Sequence, residues 1–357
     1  MRILVIASHS GGHLAPAIAF CQAMWDRAPD TKINFVTTDS AVERHLLFTK
    51  FNRFKVIYFK KQRISFINFY KFFFLCLAAY RILKSEKPEL VVGFGGYLSI
   101  PFIVISKIFK IPHFIHEQNV RIGLANRLLM RICDNIVFSF STSALYCPKD
   151  KAKLLGNPIR KEIERMEQSQ AKRYFNFEPN KFTILVLGGS QGSRYINFQM
   201  IGVFETGMFN DCQVIHITGF NDYERIKKRY ESLGMEARIY DFFEPMQYAF
   251  NASDIIICRA GASTLAEIIY LQLVAIVIPY PYARAHQRDN AQFFAEKGAC
   301  ILLDEKFATL EKLCSILKEL KSENKKIEEI KKNIRNIKTG NNRWEFADFA
   351  FSIVSKN

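Results

Sequence analysis

Two stretches of this chain, about 180 residues apart, pass through the same succession of an apolar run, a turn of small residues and a helical pattern. Ile3-Leu4-Val5-Ile6-Ala7 leads through Ser8-His9-Ser10-Gly11-Gly12-His13 into a predicted helix with Pro16 in its first turn. Phe182-Thr183-Ile184-Leu185-Val186-Leu187 leads through Gly188-Gly189-Ser190-Gln191-Gly192-Ser193 into another. The same grammar recurs at 90–109 and 255–270, with further strands predicted at 32–37, 112–115, 214–217, 237–240 and 274–279. Two halves that each alternate strand with helix, and each open on a glycine turn, predict two doubly wound α/β domains whose ligand ends face one cleft. Neither glycine turn is G-x-G-x-x-G, and G-x-x-x-x-G-K-[ST] is absent, so dinucleotide-oxidoreductase and P-loop chemistry lose their usual support.

Gly156-Asn157-Pro158-Ile159-Arg160 punctuates the chain, and the charged, weakly patterned residues 161–180 follow. The expected division is therefore 1–160, 161–340 and a final helix within 341–357 that packs back on the first domain. At 357 residues there is length enough for two separate cores. Eight cysteines form no C-x-x-C pair and no His/Cys metal spacing, which fits a reducing compartment and no metal site. The N-terminus lacks the layout of a signal peptide. The uncharged apolar segment 90–106 is broken by Gly93, Gly95, Gly96 and Pro101, so no transmembrane helix is expected.

A formal charge of +16 favours polyanions, whether nucleic acid, an anionic membrane or phosphorylated substrates. Residues 44–85 narrow the choice, because they hold ten Lys and Arg, no Asp or Glu, and a cluster of aromatics. Lys60, Lys61, Arg63, Phe66, Phe69 and Phe73 suit the interface of an anionic membrane. A core helix filled by the same phenylalanines is the competing reading, and the two coexist if one face packs and the other inserts. Nucleic acid fits less well, since the aromatics cluster with aliphatics instead of forming a spaced stacking platform.

Within 255–270, a short strand, the turn Arg259-Ala260-Gly261-Ala262 and a helix from Ser263 outline a seat for a phosphate, because amides at a helix N-terminus favour an anion. The alternative is that Thr264 and Glu267 form an S/T-x-x-E capping box that needs no ligand. His116-Glu117-Gln118-Asn119 and His286-Gln287-Arg288-Asp289-Asn290 are polar clusters following strands, where open parallel sheets place their sites.

Taken in order, Ser10-Gly11-Gly12-His13, Gly93-Phe94-Gly95-Gly96-Tyr97, the HEQN of 116–119, the GNPIR of 156–160, GGSQGS at 188–193, RAGASTLAE at 259–267 and HQxxNA at 286–291 resemble the MurG family. Its members are UDP-N-acetylglucosamine transferases that convert lipid I to lipid II. The resemblance spans nearly the whole chain and implies a GT-B fold, the sugar nucleotide on the C-terminal domain and the lipid acceptor on the N-terminal one. It also implies inverting transfer without a catalytic metal or cofactor, and a peripheral location on the cytoplasmic face of the bacterial inner membrane. By resemblance, Arg259, Ala262, Ser263, Thr264, Leu265, Ala266 and Glu267 form the donor loop, with Thr264 at the diphosphate and Glu267 at the ribose. Phe243 resembles the position that meets uracil through its backbone. Ser190, Arg160 and Gln287 resemble further donor contacts, joined by Asn119, Ser10, Gly11 and Gly12. The family usually opens G-G-T-G-G-H, and here Ser8 and His9 replace the first two glycines and Ser10 the threonine.

The chemistry implied is attack of a muramyl 4-hydroxyl on the anomeric carbon as UDP departs. Neutral histidine suits the general-base role near pH 7, which makes His13 the first candidate and Glu117 its rival. Another GT-B transferase, a UDP-sugar epimerase on the same fold and a non-catalytic membrane-binding protein remain the alternatives at this stage.

Overall fold

The apolar runs that open each half become the central strands of two parallel sheets. A computed structural model describes residues 1–8, 11–39, 44, 53, 55–60, 69–282, 286–337 and 343–355. The chain divides into two units, Met1–Lys161 with Thr339–Asn357, and Glu162–Lys338.

In the first unit, β1 (Arg2–Ile6) lies between β2 (Lys32–Thr38) and β4 (Leu90–Gly93). Beyond them run β3 (Lys55–Phe59) on one side and β5 (His113–Glu117), β6 (Ile136–Phe138) and β7 (Ala152–Leu154) on the other, in the order β3-β2-β1-β4-β5-β6-β7. Every pairing is parallel. Leu4 through Ile6 are fully buried because helices cover both faces, which is why the sequence runs apolar there instead of alternating.

Helix α1 (Gly11–Arg27) follows β1. It begins earlier than the proline suggested, so that Pro16 sits inside the helix instead of in its first turn. Without an N–H, Pro16 cannot donate to the Gly12 carbonyl, yet its fixed φ still suits helix. Next come α2 (Phe69–Glu86), α3 (Ser99–Ile108), α4 (Leu124–Leu129) and α5 (Ser141–Ala144).

The second unit repeats the design. Helix α6 (Gln168–Tyr174) precedes β8 (Thr183–Leu187), the central strand. Around it are β9 (Gln213–Ile217), β10 (Ala237–Tyr240), β11 (Ile255–Cys258), β12 (Ala275–Val277) and β13 (Ile301–Leu302), in the order β10-β9-β8-β11-β12-β13, all parallel. Its helices are α7 (Arg194–Glu205), α8 (Tyr223–Leu233), α9 (Met246–Ala252), α10 (Ala262–Leu271), α11 (His286–Ala295), α12 (Leu310–Ser322) and α13 (Asn324–Arg335).

The last helix, α14 (Arg343–Val354), belongs to the first unit, where Phe346, Ala347, Ala350 and Ile353 join the core formed by β1, α1 and Phe114. The Phe349 ring meets Phe114 edge-on at 5.6 Å, and Arg27 pairs with Asp348 at 3.0 Å.

In both sheets the strand order reverses beside the first strand of the unit, between β1 and β4 and between β8 and β11. Loops leaving strands at such a reversal diverge to opposite faces and open a crevice at the carboxyl ends. All four glycine-rich turns found in the sequence leave these four strands.

Candidate active site

In the first unit, the turn after β1 delivers His13 into the opening turn of α1, where it is partly exposed. Its Nδ1 lies 2.6 Å from the Phe94 carbonyl oxygen, which belongs to the turn after β4. The Gln118 carboxamide meets the same nitrogen from the end of β5. Gly95 has φ +91°, and a Cβ there would come within 2.8 Å of the imidazole Cε1 and 2.9 Å of Nδ1, so only glycine leaves room for the ring. Ser8, which replaces a family glycine, is fully buried against Gly96. His9 and Ser10 lie outside the described residues.

His116 and Glu117 of HEQN are the last two residues of strand β5, Gln118 and Asn119 follow it, and His116, Glu117 and Gln118 are buried. The Glu117 carboxylate accepts from the Asn119 amide at 2.9 Å, Asn119 Nδ2 at 3.2 Å, the Gly123 amide at 2.8 Å and Asn126 Nδ2 at 2.9 Å. Burial pushes its carboxyl pKa up, and those four donors work against that rise. Asn119 is half-buried, and its carbonyl accepts from Ser143 Oγ at 3.0 Å. His116 directs Nε2 at Ser139 Oγ and the Gly156 carbonyl, at 3.0 and 3.1 Å, and burial pushes its pKa down to about 3. That contact ties HEQN to the GNPIR turn, which carries half-buried Arg160.

In the second unit the turns after β8 and β11 lock together. Ser193 caps α7, accepting from the Ile196 amide, and its Oγ also accepts from Arg259 Nε at 3.0 Å. Arg259 is buried, and its Nη1 donates to the Ile278 and Pro279 carbonyls at 3.1 Å and to Glu305 Oε2 at 2.6 Å. Gly192, φ +74°, lets the turn after β8 pack against the residue following β9, because a Cβ there would stand 2.0 Å from the Thr218 carbonyl oxygen. Ser190 is half-buried on the same turn.

The residue that begins α10 bears on one of the two sequence readings of Thr264. Gly261 is the N-cap and offers no side-chain cap, so Thr264 stands at the third helical position and no Thr264–Glu267 capping box forms. The amides of Ala262, Ser263 and Thr264 have no acceptor one turn earlier within the helix. Ala262, Leu265 and Glu267 are buried, whereas Ser263, Thr264 and Ala266 are partly exposed. Gln287, in the first turn of α11, accepts from the Tyr280 amide at 3.0 Å, and Asn290 Nδ2 donates to the Ala260 carbonyl at 3.3 Å. Phe243 is buried against Tyr240 and Phe175, with ring centroids 4.6 and 5.4 Å away. Its neighbour Phe242 lies parallel to Phe220 at 6.4 Å, a pair that no sequence spacing signalled.

Of the basic aromatic segment, Lys60 is exposed. Lys61, Arg63 and Phe66 fall outside the described residues, as does the side chain of Phe69 at the start of α2. Further along that helix Ala79 and Leu83 are buried in the core, while Phe73 is 64% and Phe74 62% exposed. Packing and outward display thus occur on opposite faces of one helix. Tyr80 meets Phe109, at the end of α3, at 5.8 Å. Among the described residues, no helix is long and apolar enough to cross a membrane, and no group of three His, Cys, Asp or Glu is placed to hold a metal ion.

Two doubly wound sheets, each with its glycine turns at the reversal of strand order, define the GT-B class of fold. Residues 3–138 match the glycosyltransferase family 28 N-terminal domain and residues 183–343 the glycosyltransferase family 28 C-terminal domain. The chain is 32% identical over 343 residues to the UDP-N-acetylglucosamine–N-acetylmuramyl-(pentapeptide) pyrophosphoryl-undecaprenol N-acetylglucosamine transferase of Citrifermentans bemidjiense, covering 94% of this chain and 95% of that one. It belongs to that family, the MurG transferases. The fold matches that of Acinetobacter baumannii MurG, with a TM-score of 0.77 at 23% identity, over 99% of this chain and 100% of the other. A UDP-GlcNAc 2-epimerase from Neisseria meningitidis, bound to UDP-GlcNAc, matches at 0.69 with 14% identity, over 100% of both chains. Fold alone therefore does not separate a transferase from an isomerase; sequence relationship does.

Proposed function

We propose that this protein transfers N-acetylglucosamine from UDP-N-acetylglucosamine to the 4-hydroxyl of the muramyl sugar of lipid I, giving lipid II and UDP. The observation that carries this reading is the 32% identity to a MurG transferase over 94% of the chain, which spans both units. UDP-N-acetylglucosamine enters as a substrate, and the second unit holds it. The diphosphate sits at the N-terminus of α10, where the first-turn amides and the Thr264 hydroxyl stabilise the charge that grows on the leaving group. Ser190 and Gln287 add donors, Glu267 takes the ribose hydroxyls, and the backbone at Phe243 reads the uracil. Arg160, Asn119 and the turn Ser10-Gly11-Gly12 complete the donor contacts.

Arg259 serves that loop from beneath. Its guanidinium is already engaged by Ser193, Ile278, Pro279 and Glu305, so it fixes the two donor turns against each other. Glu117 likewise spends both carboxylate oxygens on four donors of its own loop, which favours an organising role over that of a base. His13 is then the general base. Its Nδ1 faces a carbonyl oxygen, which only accepts, so Nδ1 carries the proton and Nε2 the lone pair.

Exposed Tyr70, Phe73 and Phe74, with Lys60, Arg81 and Lys84, support peripheral attachment to the anionic cytoplasmic face of the inner membrane, where lipid I resides. The test is release of UDP from UDP-N-acetylglucosamine with and without lipid I. Release that depends on lipid I, with lipid II formed in equal amount, is the expected result. Conversion of the sugar nucleotide without acceptor, or transfer only to some other acceptor, overturns the reading.

A further inference from the structure

The contacts at His13 Nδ1 assign a second residue to the reaction. Phe94 contributes a carbonyl oxygen at 2.6 Å, and Gln118 contributes its carboxamide. With Nδ1–H committed as a donor, a carboxamide nitrogen turned toward it would set donor against donor. It would also leave Gln118 Oε1 buried with no partner, in a side chain only 2% exposed. A half-turn of the amide exchanges its two ends at no cost in shape and turns an acceptor, Oε1, toward Nδ1–H.

We propose that Gln118 is a positioning residue for catalysis, whose amide oxygen joins the Phe94 carbonyl in a two-acceptor cradle around His13 Nδ1–H. The proposal rests on His13 acting as the base. The cradle fixes the tautomer that keeps the lone pair on Nε2, and it stabilises the imidazolium that forms. In the transfer, the acceptor oxygen bonds to the anomeric carbon and its proton passes to Nε2. The bond from that carbon to the diphosphate oxygen breaks, with the electron pair leaving on UDP, and the imidazolium afterwards returns its proton to water. In serine-protease triads a carboxylate stands at the corresponding ring nitrogen. Here the acceptors are neutral dipoles, strengthened by burial, so the imidazolium is favoured less than beside a formal charge. On the side of the ring facing Gly95 the fit is tight enough to exclude a Cβ, which keeps the imidazole in the cradle.

The test uses Gln118→Glu and Gln118→Met in the full-length protein, with the His13 ring titrated by NMR and kcat/KM measured against pH. Gln118→Glu should raise the His13 titration midpoint, and the acidic limb of kcat/KM should move with it. Gln118→Met should lower kcat about 10- to 100-fold, less than the roughly 10²- to 10⁴-fold that a general base itself contributes, with the KM for UDP-N-acetylglucosamine within about twofold. An unmoved His13 midpoint in Gln118→Glu overturns the cradle, whether or not Gln118→Met folds. A midpoint that moves while the pH profile of kcat/KM stays fixed overturns the catalytic role and leaves the contact standing. Full turnover in His13→Ala overturns the reading of His13 as base, separately from both.

Discussion

A Cβ on residue 95 would lie 2.8 Å from Cε1 of His13, so the turn after β4 sets the position of a ring carried by the helix after β1. These two strands are the pair at which the order of the first sheet reverses. Gly95→Ala adds one methyl group in a conformation with φ +91° and must push the imidazole off the Phe94 carbonyl. A displacement near 1 Å costs about 10²-fold in rate, so kcat should fall by that order. Donor affinity, measured by calorimetry with UDP, should stay within about twofold, since the residues assigned to the diphosphate, ribose and uracil belong to the other unit. Unchanged kcat would mean that the ring position is not critical.

Thr264 separates a structural role from a ligand role. An N-cap threonine replaced by alanine costs about 1 kcal/mol of stability, whereas a partly exposed residue at the third helical position costs little. Because Gly261 is the cap, Thr264→Ala should leave the melting temperature nearly unchanged and weaken UDP binding about tenfold. A clear loss of thermal stability with intact UDP affinity would restore the capping-box reading.

The capping box shows where sequence reasoning stops. Periodicity places a helix after Ile255-Ile256-Ile257-Cys258, but it does not distinguish a start at Ala262 from one three residues later, and the role of Thr264 depends on that difference. The strands were legible because those buried on both faces are uninterrupted apolar runs, as at Leu4-Val5-Ile6 and Ile184-Leu185-Val186. The glycine turns were legible because small residues after such runs leave few other purposes. Gln118 was visible as a letter of HEQN and invisible as a partner of His13, since 105 residues separate the two and only the adjacency of folded elements joins them. Arg259 illustrates the same limit. Its place in a donor motif suggested a ligand contact, while its four acceptors come from residues up to 66 positions away.

Arg259→Gln should therefore destabilise the second unit as well as weaken donor binding. Removing the cation leaves Glu305 with a lost partner in a pair whose arginine side chain is 8% exposed, a change that costs roughly 3 kcal/mol or more. Chemical denaturation followed by circular dichroism should report that loss without any ligand. If stability is unchanged and only UDP affinity falls, the guanidinium acts on the donor directly.

Two of the buried histidines, His116 in the first unit and His216 in the second, contribute strongly to the response to acid. Burial lowers His116 and His216 from 6.5 to about 3, with His216 held between Tyr230 Oη and Asn197 Oδ1 at 3.0 Å each. The unfolded chain takes up protons near pH 6.5 while the folded chain does not until about pH 3. Their contribution is thus complete above pH 6.5 and is lost as pH falls toward 3, at about 2 kcal/mol each by pH 5. His216→Gln should lower stability at pH 7.5 but shrink the further loss between pH 7.5 and 5 by about that amount. An equal loss in wild type and variant would place the acid sensitivity elsewhere.

The outward face of α2 gives the last prediction, because two independent forces should be separable on it. Phe73 and Phe74 stand mostly exposed beside Tyr70, while the opposite face of the helix is anchored in the core through Ala79 and Leu83. Replacing the two phenylalanines by serine therefore removes no core contact from those anchors and should leave the melting temperature nearly unchanged. Burying each aromatic in an interface is worth roughly 1.5–3 kcal/mol at full burial, so partial insertion of both predicts at least a tenfold loss of partitioning onto phosphatidylglycerol vesicles. Added salt should weaken the wild-type protein through Lys60, Arg81 and Lys84, and should weaken what binding the variant retains by a similar factor, because screening acts on the charges alone. Unaltered partitioning in sedimentation assays would remove this face from the membrane contact. A fall in melting temperature accompanying the loss would instead assign the two rings to the core.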